Sequence, residues 1–226
     1  MVELIRNLDA GQIRANLERI RAEIAVAVAS TGARRSGRGE VEILAATKYI
    51  PSAELPTLAA AGIHLVGENR AQDMQEKVTA HGELFEWDFI GQLQSRRVRL
   101  IVPHARLIHS LASESALKEL QRQRERARPG LRVLIEVNVA GEQGKAGIAP
   151  REIASFIERA PVPVAGLMTM PPLSSEAQDS RPWFASLRGL ADEHGLEHLS
   201  MGTSQDYLVA AEEGATIVRI GTKLYD

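Results

Sequence analysis

After residue 40 the chain alternates between eight short β-rich runs and seven helical stretches, and this restricts the fold more than any other feature of its 226 residues. The β-rich runs lie at 41–47, 63–66, 87–90, 106–109, 132–139, 164–168, 198–200 and 215–220, with helical stretches near 52–61, 69–80, 95–102, 113–128, 150–159, 176–194 and 204–213. Arg132 to Val139 is the clearest strand, with Val133, Ile135 and Val137 on one face and Leu134 on the other; apolar residues on both faces mark a strand buried on both sides. Strand–helix–strand order implies parallel pairing through right-handed crossovers. Eight such strands fit a (β/α)8 TIM barrel. An open doubly wound sheet is the alternative, and the strand count and the chemistry of the loops favour the barrel.

Ahead of the barrel, residues 9–30 read as one further helix, an extra cap on the barrel. Ile13, Leu17, Ile20, Ile24 and Val28 recur at helical spacing and Asp9 is the expected N-cap. Thr31 to Glu40 carries three glycines and three arginines. It reads as a solvated loop rather than a nucleic-acid arm, because no aromatic residue interleaves. Neither a repeat nor a linker divides the chain, so residues 1–226 are read as a single domain.

In a barrel of this kind, functional groups gather where strands end and βα loops begin. Lys48 closes the first strand, Val41 to Lys48, with Pro51 just beyond it. It could be a surface lysine opening a loop, or an amine held partly desolvated and thereby nucleophilic. Anions in such barrels bind near strands 7 and 8. Strand 7 runs into Ser200-Met201-Gly202-Thr203-Ser204, where Thr203 or Ser204 is a natural N-cap and the helix start offers free N–H groups. Strand 8 ends in Arg219-Ile220-Gly221-Thr222. Each loop alone could be a plain cap or turn. Together with Lys48 they point to an amine-reactive, phosphorylated ligand, and pyridoxal 5'-phosphate is the leading candidate.

Arg219 shares a strand face with Ile217 and should point into the barrel. It could pair with Glu136 on strand 5 or lie against a pyridine nitrogen, where a fixed cation disfavours protonation of that nitrogen. Asn69, after strand 2, either caps the next helix or lines the pocket; Met168, at the end of strand 6, is core or pocket wall. Lys145, in a glycine-flanked loop after strand 5, is either a solvent lysine or a holder of a second cofactor molecule. The arginines at 96, 97, 99, 122, 124, 126 and 128 read as solvated helix faces.

Composition narrows the classes further. There is no cysteine, which removes disulfides, thiolate metal sites and cysteine nucleophiles. The formal charge is -2, so nothing global suggests a nucleic-acid or membrane-surface partner. No apolar run approaches a membrane span, and Met1 to Arg6 lacks the apolar core of a signal peptide. The expectation is a cytoplasmic protein, a monomer, with no metal, nucleic-acid or membrane partner.

The residues also resemble a known family. Ala45-Ala46-Thr47-Lys48, Gly67-Glu68-Asn69-Arg70-Ala71-Gln72, Phe89-Ile90-Gly91-Gln92-Leu93-Gln94, Gly144-Lys145-Ala146-Gly147, Gly166-Leu167-Met168, Leu199 to Asp206 and Val218 to Thr222 are similar to the pyridoxal phosphate homeostasis proteins. The resemblance implies a barrel like the N-terminal domain of alanine racemase, the fold-type-III arrangement. It implies a covalent aldimine at Lys48, phosphate binding by Ser200, Gly221 and Thr222, and Arg219 at the ring nitrogen; Asn69, Met168, Gly202 and Thr203 complete the pocket expected from the strand ends. It implies cofactor binding and delivery in vitamin B6 homeostasis, with apo-enzymes as recipients and no robust reaction of its own. The rival reading is an amino-acid racemase or lyase, and a third is a Schiff-base barrel without a cofactor, such as an aldolase. The chain departs from the family pattern at Arg96-Arg97 and at the final Lys223-Leu224-Tyr225-Asp226.

Overall fold

The computed structural model describes residues 4–31 and 39–226. Most of the arginine- and glycine-containing segment expected to be a solvated loop lies outside the described residues, as do Met1 to Glu3. Eight parallel strands close into a barrel in sequence order: β1 (Glu42–Ala46), β2 (Leu65–Glu68), β3 (Glu86–Phe89), β4 (Leu107–Leu111), β5 (Arg132–Glu136), β6 (Val164–Met168), β7 (His198–Thr203) and β8 (Ile217–Ile220). β8 pairs with β1 in continuous register from Glu42↔Ile217 to Ala45↔Ile220, which seals the sheet on itself. The helices are α1 (Ala10–Ala29), α2 (Leu55–Ala60), α3 (Ala71–His81), α4 (Val98–Ile101), α5 (Glu114–Arg122), α6 (Ile153–Arg159), α7 (Arg181–Glu193), α8 (Tyr207–Glu212) and α9 (Thr222–Tyr225).

The alternating strand faces sort the core into two parts. Val133, Ile135, Val137, Val218 and Ile220 pack outward in the large cluster between sheet and helices. Leu44, Leu107, Leu134, Met168 and Ile217 form a smaller cluster inside the barrel. Arg219 follows Ile217 by two residues and shares its inward face, as the strand period requires. Each buried Leu or Ile contributes roughly 1.5–3 kcal/mol, so both clusters favour this one register; a slip by one residue would turn Arg219 outward among the helices.

The first helix is not a cap on the barrel. It packs on α2, α8 and α9 in the outer ring, filling the place that a long helix after β8 would take. Its buried stripe is Ile13, Asn16, Leu17, Ile20, Ile24 and Ala27, and the Asp9 carboxylate caps it by accepting from the Gln12 amide at 2.6 Å. Asn16 donates to the carbonyls of Leu224 (3.2 Å) and Asp226 (2.8 Å), which ties α1 to the short final helix. That helix carries one wall of the site.

Candidate functional site

At the C-terminal end of the strands a cavity of about 350 Å³ is lined by Lys48, Tyr49, Asn69, Gly91, Met170, Ser204, Arg219, Gly221, Thr222 and Tyr225, among others. Six of the eight strand ends or the loops after them contribute to it. It is therefore a product of the whole barrel rather than of one motif.

Lys48 reaches the cavity from a turn, not from the strand. β1 stops at Ala46, and Thr47 adds one more ladder bond, its amide donating to the Gly67 carbonyl at 3.0 Å. The chain then turns, closed by the Ile50 amide on the Thr47 carbonyl at 2.9 Å. This lifts Lys48 outward, so it is exposed rather than partly desolvated as expected. Strand alternation no longer applies in the turn. Tyr49 therefore lies on the same side as Lys48, with the ammonium 4.7 Å from its ring centre.

A buried cluster fixes that turn from behind. Lys77 on α3 donates to the Thr47 carbonyl at 2.9 Å and forms an ion pair with Glu68 at the end of β2. The Thr47 hydroxyl donates to the same Glu68 oxygen at 2.7 Å, while the other oxygen of Glu68 is buried and unpartnered among the described residues. Sequence reasoning missed this pair. Its signal was present: Lys77 stands on the same stripe of α3 as the buried Ala71 and Met74, where an apolar residue is the rule.

Asn69 is not the cap of α3, since Arg70 takes that position. Its side chain lines the cavity, and its Oδ1 is buried with no partner among the described residues. A buried polar atom without a partner costs roughly 1–3 kcal/mol. The facing loop is glycine by necessity: a Cβ on Gly91 would stand 2.0 Å from the Asn69 carbonyl oxygen.

Arg219 is buried and also lines the cavity. It donates to the Ser200 carbonyl (2.9 Å) and hydroxyl (2.5 Å), to the Thr169 carbonyl (3.0 Å) and to the Met170 sulfur (2.9 Å). Among the described residues none of these partners is a carboxylate, so of the two alternatives the pairing with Glu136 is not the arrangement found. Burial pushes the guanidinium down to about 10, offset in part by the attraction of Asp206 and then Glu136. It stays charged at neutral pH. Burial in turn raises Glu136 above the usual carboxylate range, against the pull of Arg219.

On the anion side the structure separates the expected residues. Gly221 and Thr222 line the cavity, joined by Ser204, whose Oγ accepts from the Gly221 amide at 3.1 Å. Thr203 also lines it, but its amide (2.7 Å) and hydroxyl (3.1 Å) both donate to Asp206. Asp206, rather than Thr203 or Ser204, holds the N-cap position, so α8 begins three residues later than the pattern suggested. Ser200 is fully buried and lies outside the lining, as do Gly202 and Met168. Met168 belongs to the apolar cluster inside the barrel, and Met170 stands at the cavity instead. Gly202 has φ +90°, and a Cβ there would meet the Ala210 Cβ at 2.5 Å, so its role is to let α8 pack on β7.

Two further residues are placed by the structure. Tyr225 lines the cavity; its hydroxyl donates to the Ala46 carbonyl at 3.1 Å, and burial raises its pKa. Lys145 is away from the cavity and paired with Glu142, in a loop pinned at its base by the Val137–Ile148 bridge.

Comparison with known proteins agrees with this geometry. Residues 8–226 match the model of the alanine racemase N-terminal domain. The chain is 42% identical over 204 residues to the pyridoxal phosphate homeostasis protein of Aquifex aeolicus, covering 84% of this chain and 90% of that one. It is 35% identical to the protein of the same name from Vibrio cholerae, covering 94% and 95%. Among solved structures it is similar to PipY of Synechococcus elongatus without pyridoxal phosphate (TM-score 0.79, 30% identity, 95% of this chain and 100% of that one). The pyridoxal phosphate-bound form of PipY gives a TM-score of 0.77 at 29% identity, again over 95% and 100%. Alanine racemase from Bartonella henselae shares the fold at 14% identity (TM-score 0.71, 96% of this chain and 59% of that one).

Proposed function

The chain belongs to the pyridoxal phosphate homeostasis proteins, within the wider alanine racemase N-terminal-domain family, and from that premise we propose that it binds pyridoxal 5'-phosphate and holds it for release inside the cell. The observation that carries this reading is one cavity presenting a primary amine, a fixed cation and anion donors at once: Lys48, Arg219, and Ser204 with Gly221 and Thr222. The relatives named for pyridoxal phosphate and the loaded form of PipY support it.

The residues present fit the group. The buried, unpartnered Oδ1 of Asn69 calls for a ligand or a water within the cavity. Bound there, the cofactor supplies an aldehyde that condenses reversibly with amines. Lys48 would be the attachment point: its exposure leaves the amine open to loading and unloading. Ser204, Gly221 and Thr222 would take the phosphate, and Thr203 less so because Asp206 already uses its donors. Arg219 would face the ring nitrogen and, as a permanent cation, keep it unprotonated.

The same geometry supports a carrier rather than a catalyst. Racemisation needs an acid/base pair on opposite faces of the reacting carbon. Here Tyr49 stacks on the same side as Lys48, and Tyr225 commits its hydroxyl to the Ala46 carbonyl with its pKa raised by burial. Tyr207 lies outside the cavity, donating to Glu23 on α1. The test is a chiral assay with L- and D-alanine and a small amino-acid panel on cofactor-saturated protein. The carrier reading expects no turnover; a rate in the enzymatic range of about 1–10³ per second makes the protein a racemase.

A further inference from the structure

Resting on that reading, we propose that Asp88, His109 and Ser200 are positioning residues that aim Arg219 at the cavity, and that Ser200 acts through Arg219 rather than as a ligand of the phosphate. They form one continuous buried chain. Arg219 donates to the Ser200 hydroxyl at 2.5 Å, the Ser200 hydroxyl meets His109 Nδ1 at 2.8 Å, and His109 Nε2 meets Asp88 Oδ2 at 3.1 Å. Asp88 is held in turn by two bonds from Arg106, at 2.9 and 2.8 Å. Asp88, His109 and Ser200 are all fully buried.

The chemistry of the ends dictates the direction of every bond. A guanidinium can only donate, so Ser200 Oγ must accept from Arg219. Its single hydrogen then goes to His109 Nδ1. That nitrogen must be the unprotonated one, which leaves the hydrogen on Nε2 to donate to Asp88. Asp88, receiving from both His109 and Arg106, is the carboxylate that closes the chain. One tautomer of neutral His109 satisfies all four groups. Burial, the largest influence on His109, favours that neutral form, and Arg219 and Arg106 favour it too, against Asp88.

Filling space does not require such a chain. Apolar side chains fill much of the barrel interior, among them Leu44, Leu107, Leu134, Met168 and Ile217, and apolar residues of similar volume commonly replace buried ion pairs at no loss. What the chain adds is a fixed orientation for a long side chain that otherwise carries about 2 kcal/mol of rotamer entropy. The Ser200 carbonyl, also an acceptor of Arg219, makes the serine a two-point holder. Its hydroxyl has donated its hydrogen and lies outside the lining of the cavity.

The experiment compares pyridoxal 5'-phosphate with pyridoxal, which keeps the ring and aldehyde but lacks the phosphate. Affinities and absorption maxima of the bound ligands are measured for the wild type, Ser200→Ala, His109→Leu, His109→Gln and Ser204→Ala, with melting temperatures alongside. Ser200→Ala and His109→Leu are expected to weaken both ligands by the same factor, about fivefold to thirtyfold, and to shift the absorption maximum. His109→Gln should restore both, since a glutamine amide can donate to Asp88 and accept from Ser200. Ser204→Ala should weaken only the phosphorylated ligand. If His109→Leu fails to fold, Ser200→Ala, which removes one oxygen, decides alone. Loss of the phosphorylated ligand only in Ser200→Ala would make Ser200 a phosphate ligand and overturn the proposal. Wild-type affinity and spectrum in that variant would overturn it as well. A wild type that binds neither ligand would instead remove the cofactor reading beneath it.

Discussion

At the N-terminal end of the strands, Arg106 grips Glu42 with bonds of 2.7 and 3.1 Å and Asp88 with bonds of 2.9 and 2.8 Å. At the C-terminal end, Asn69 keeps a buried oxygen without a partner among the described residues and Lys48 stands exposed. The same closed sheet thus satisfies its charged side chains at one end and leaves the Asn69 oxygen wanting at the other. The satisfied end contributes stability. The other end is where a ligand gains most, because it completes bonds that the fold has left unmade. Substitutions should therefore act on stability at the first end and on ligand affinity at the second.

The largest effect is expected from Asp88→Ala, which leaves Arg106 and His109 buried without their shared acceptor. Breaking such a group costs about 3–5 kcal/mol, or roughly 6–20 °C in melting temperature for a chain of this size. Calorimetry of the cofactor-free protein checks it, with Lys48→Ala, at an exposed position, staying within about 0.5 kcal/mol of wild type. Equal melting of Asp88→Ala and wild type would break the contrast between the two ends.

Lys77→Met probes the boundary between them. It strips Glu68 of its buried cation and frees the Thr47 carbonyl that holds the turn of Lys48. A loss of about 2–4 kcal/mol is expected, since the Thr47 hydroxyl still donates to Glu68 and offsets part of the cost. Denaturant melts measure it. Next comes Ser204→Ala at the open end. Removing a hydrogen bond to phosphate should lower affinity by about tenfold or more and leave the cofactor-free melting temperature within about 2 °C. Saturating pyridoxal phosphate should raise the melting temperature of the wild type by linkage.

The smallest effect is a pH dependence. Burial lowers the pKa of His109, as it does those of His104 and His198, below the ordinary 6.5. Between 6.5 and those lower values the unfolded chain binds protons that the folded chain does not. Stability should therefore fall as pH drops through 6.5, by at most about 1.4 kcal/mol per pH unit for each histidine. Thermal melts from pH 8 to pH 5 follow it, and His109→Gln should flatten the curve. The Asp88 carboxylate adds a separate loss further down. Burial tends to raise it, but the bonds from His109 and Arg106 outweigh that and hold it below 3.8, so its contribution disappears as pH falls below that value.

The barrel was legible because its strands are apolar on both faces and its helices on one, two periods that do not mimic each other. The shift of β2 from 63–66 to 65–68 has a physical cause: Gly67-Glu68 reads as a loop until Lys77 supplies the cation that lets Glu68 lie fully buried. Lys48, Asn69, Thr203, Arg219, Gly221 and Thr222 line the cavity, and their strand-end positions pointed there because such groups collect at strand ends. Ser200 and Met168 were placed in the pocket because the pattern gives a strand end but not where the cavity begins. The Asp88–His109 chain left a trace in the polar residues of Trp87-Asp88-Phe89 and Ile108-His109-Ser110. Nothing in those strands alone reveals that Ser200, ninety-one positions away from His109, completes it. Tyr225 was missed because α9 spans only four residues, too short for a periodic signal.

The central claim is that Lys48 holds the cofactor, and five lysines compete for that role. Lys77 is buried in its ion pair, Lys145 is paired with Glu142, Lys223 lies over the Tyr207 ring, and Lys118 is on α5, away from the cavity. Borohydride reduction of the pyridoxal phosphate-loaded protein, followed by peptide mapping, separates them. The expected result is a single reduced adduct on Lys48, absent from a Lys48→Ala protein that melts like wild type without cofactor. A reduced adduct found only on another lysine would contradict the account.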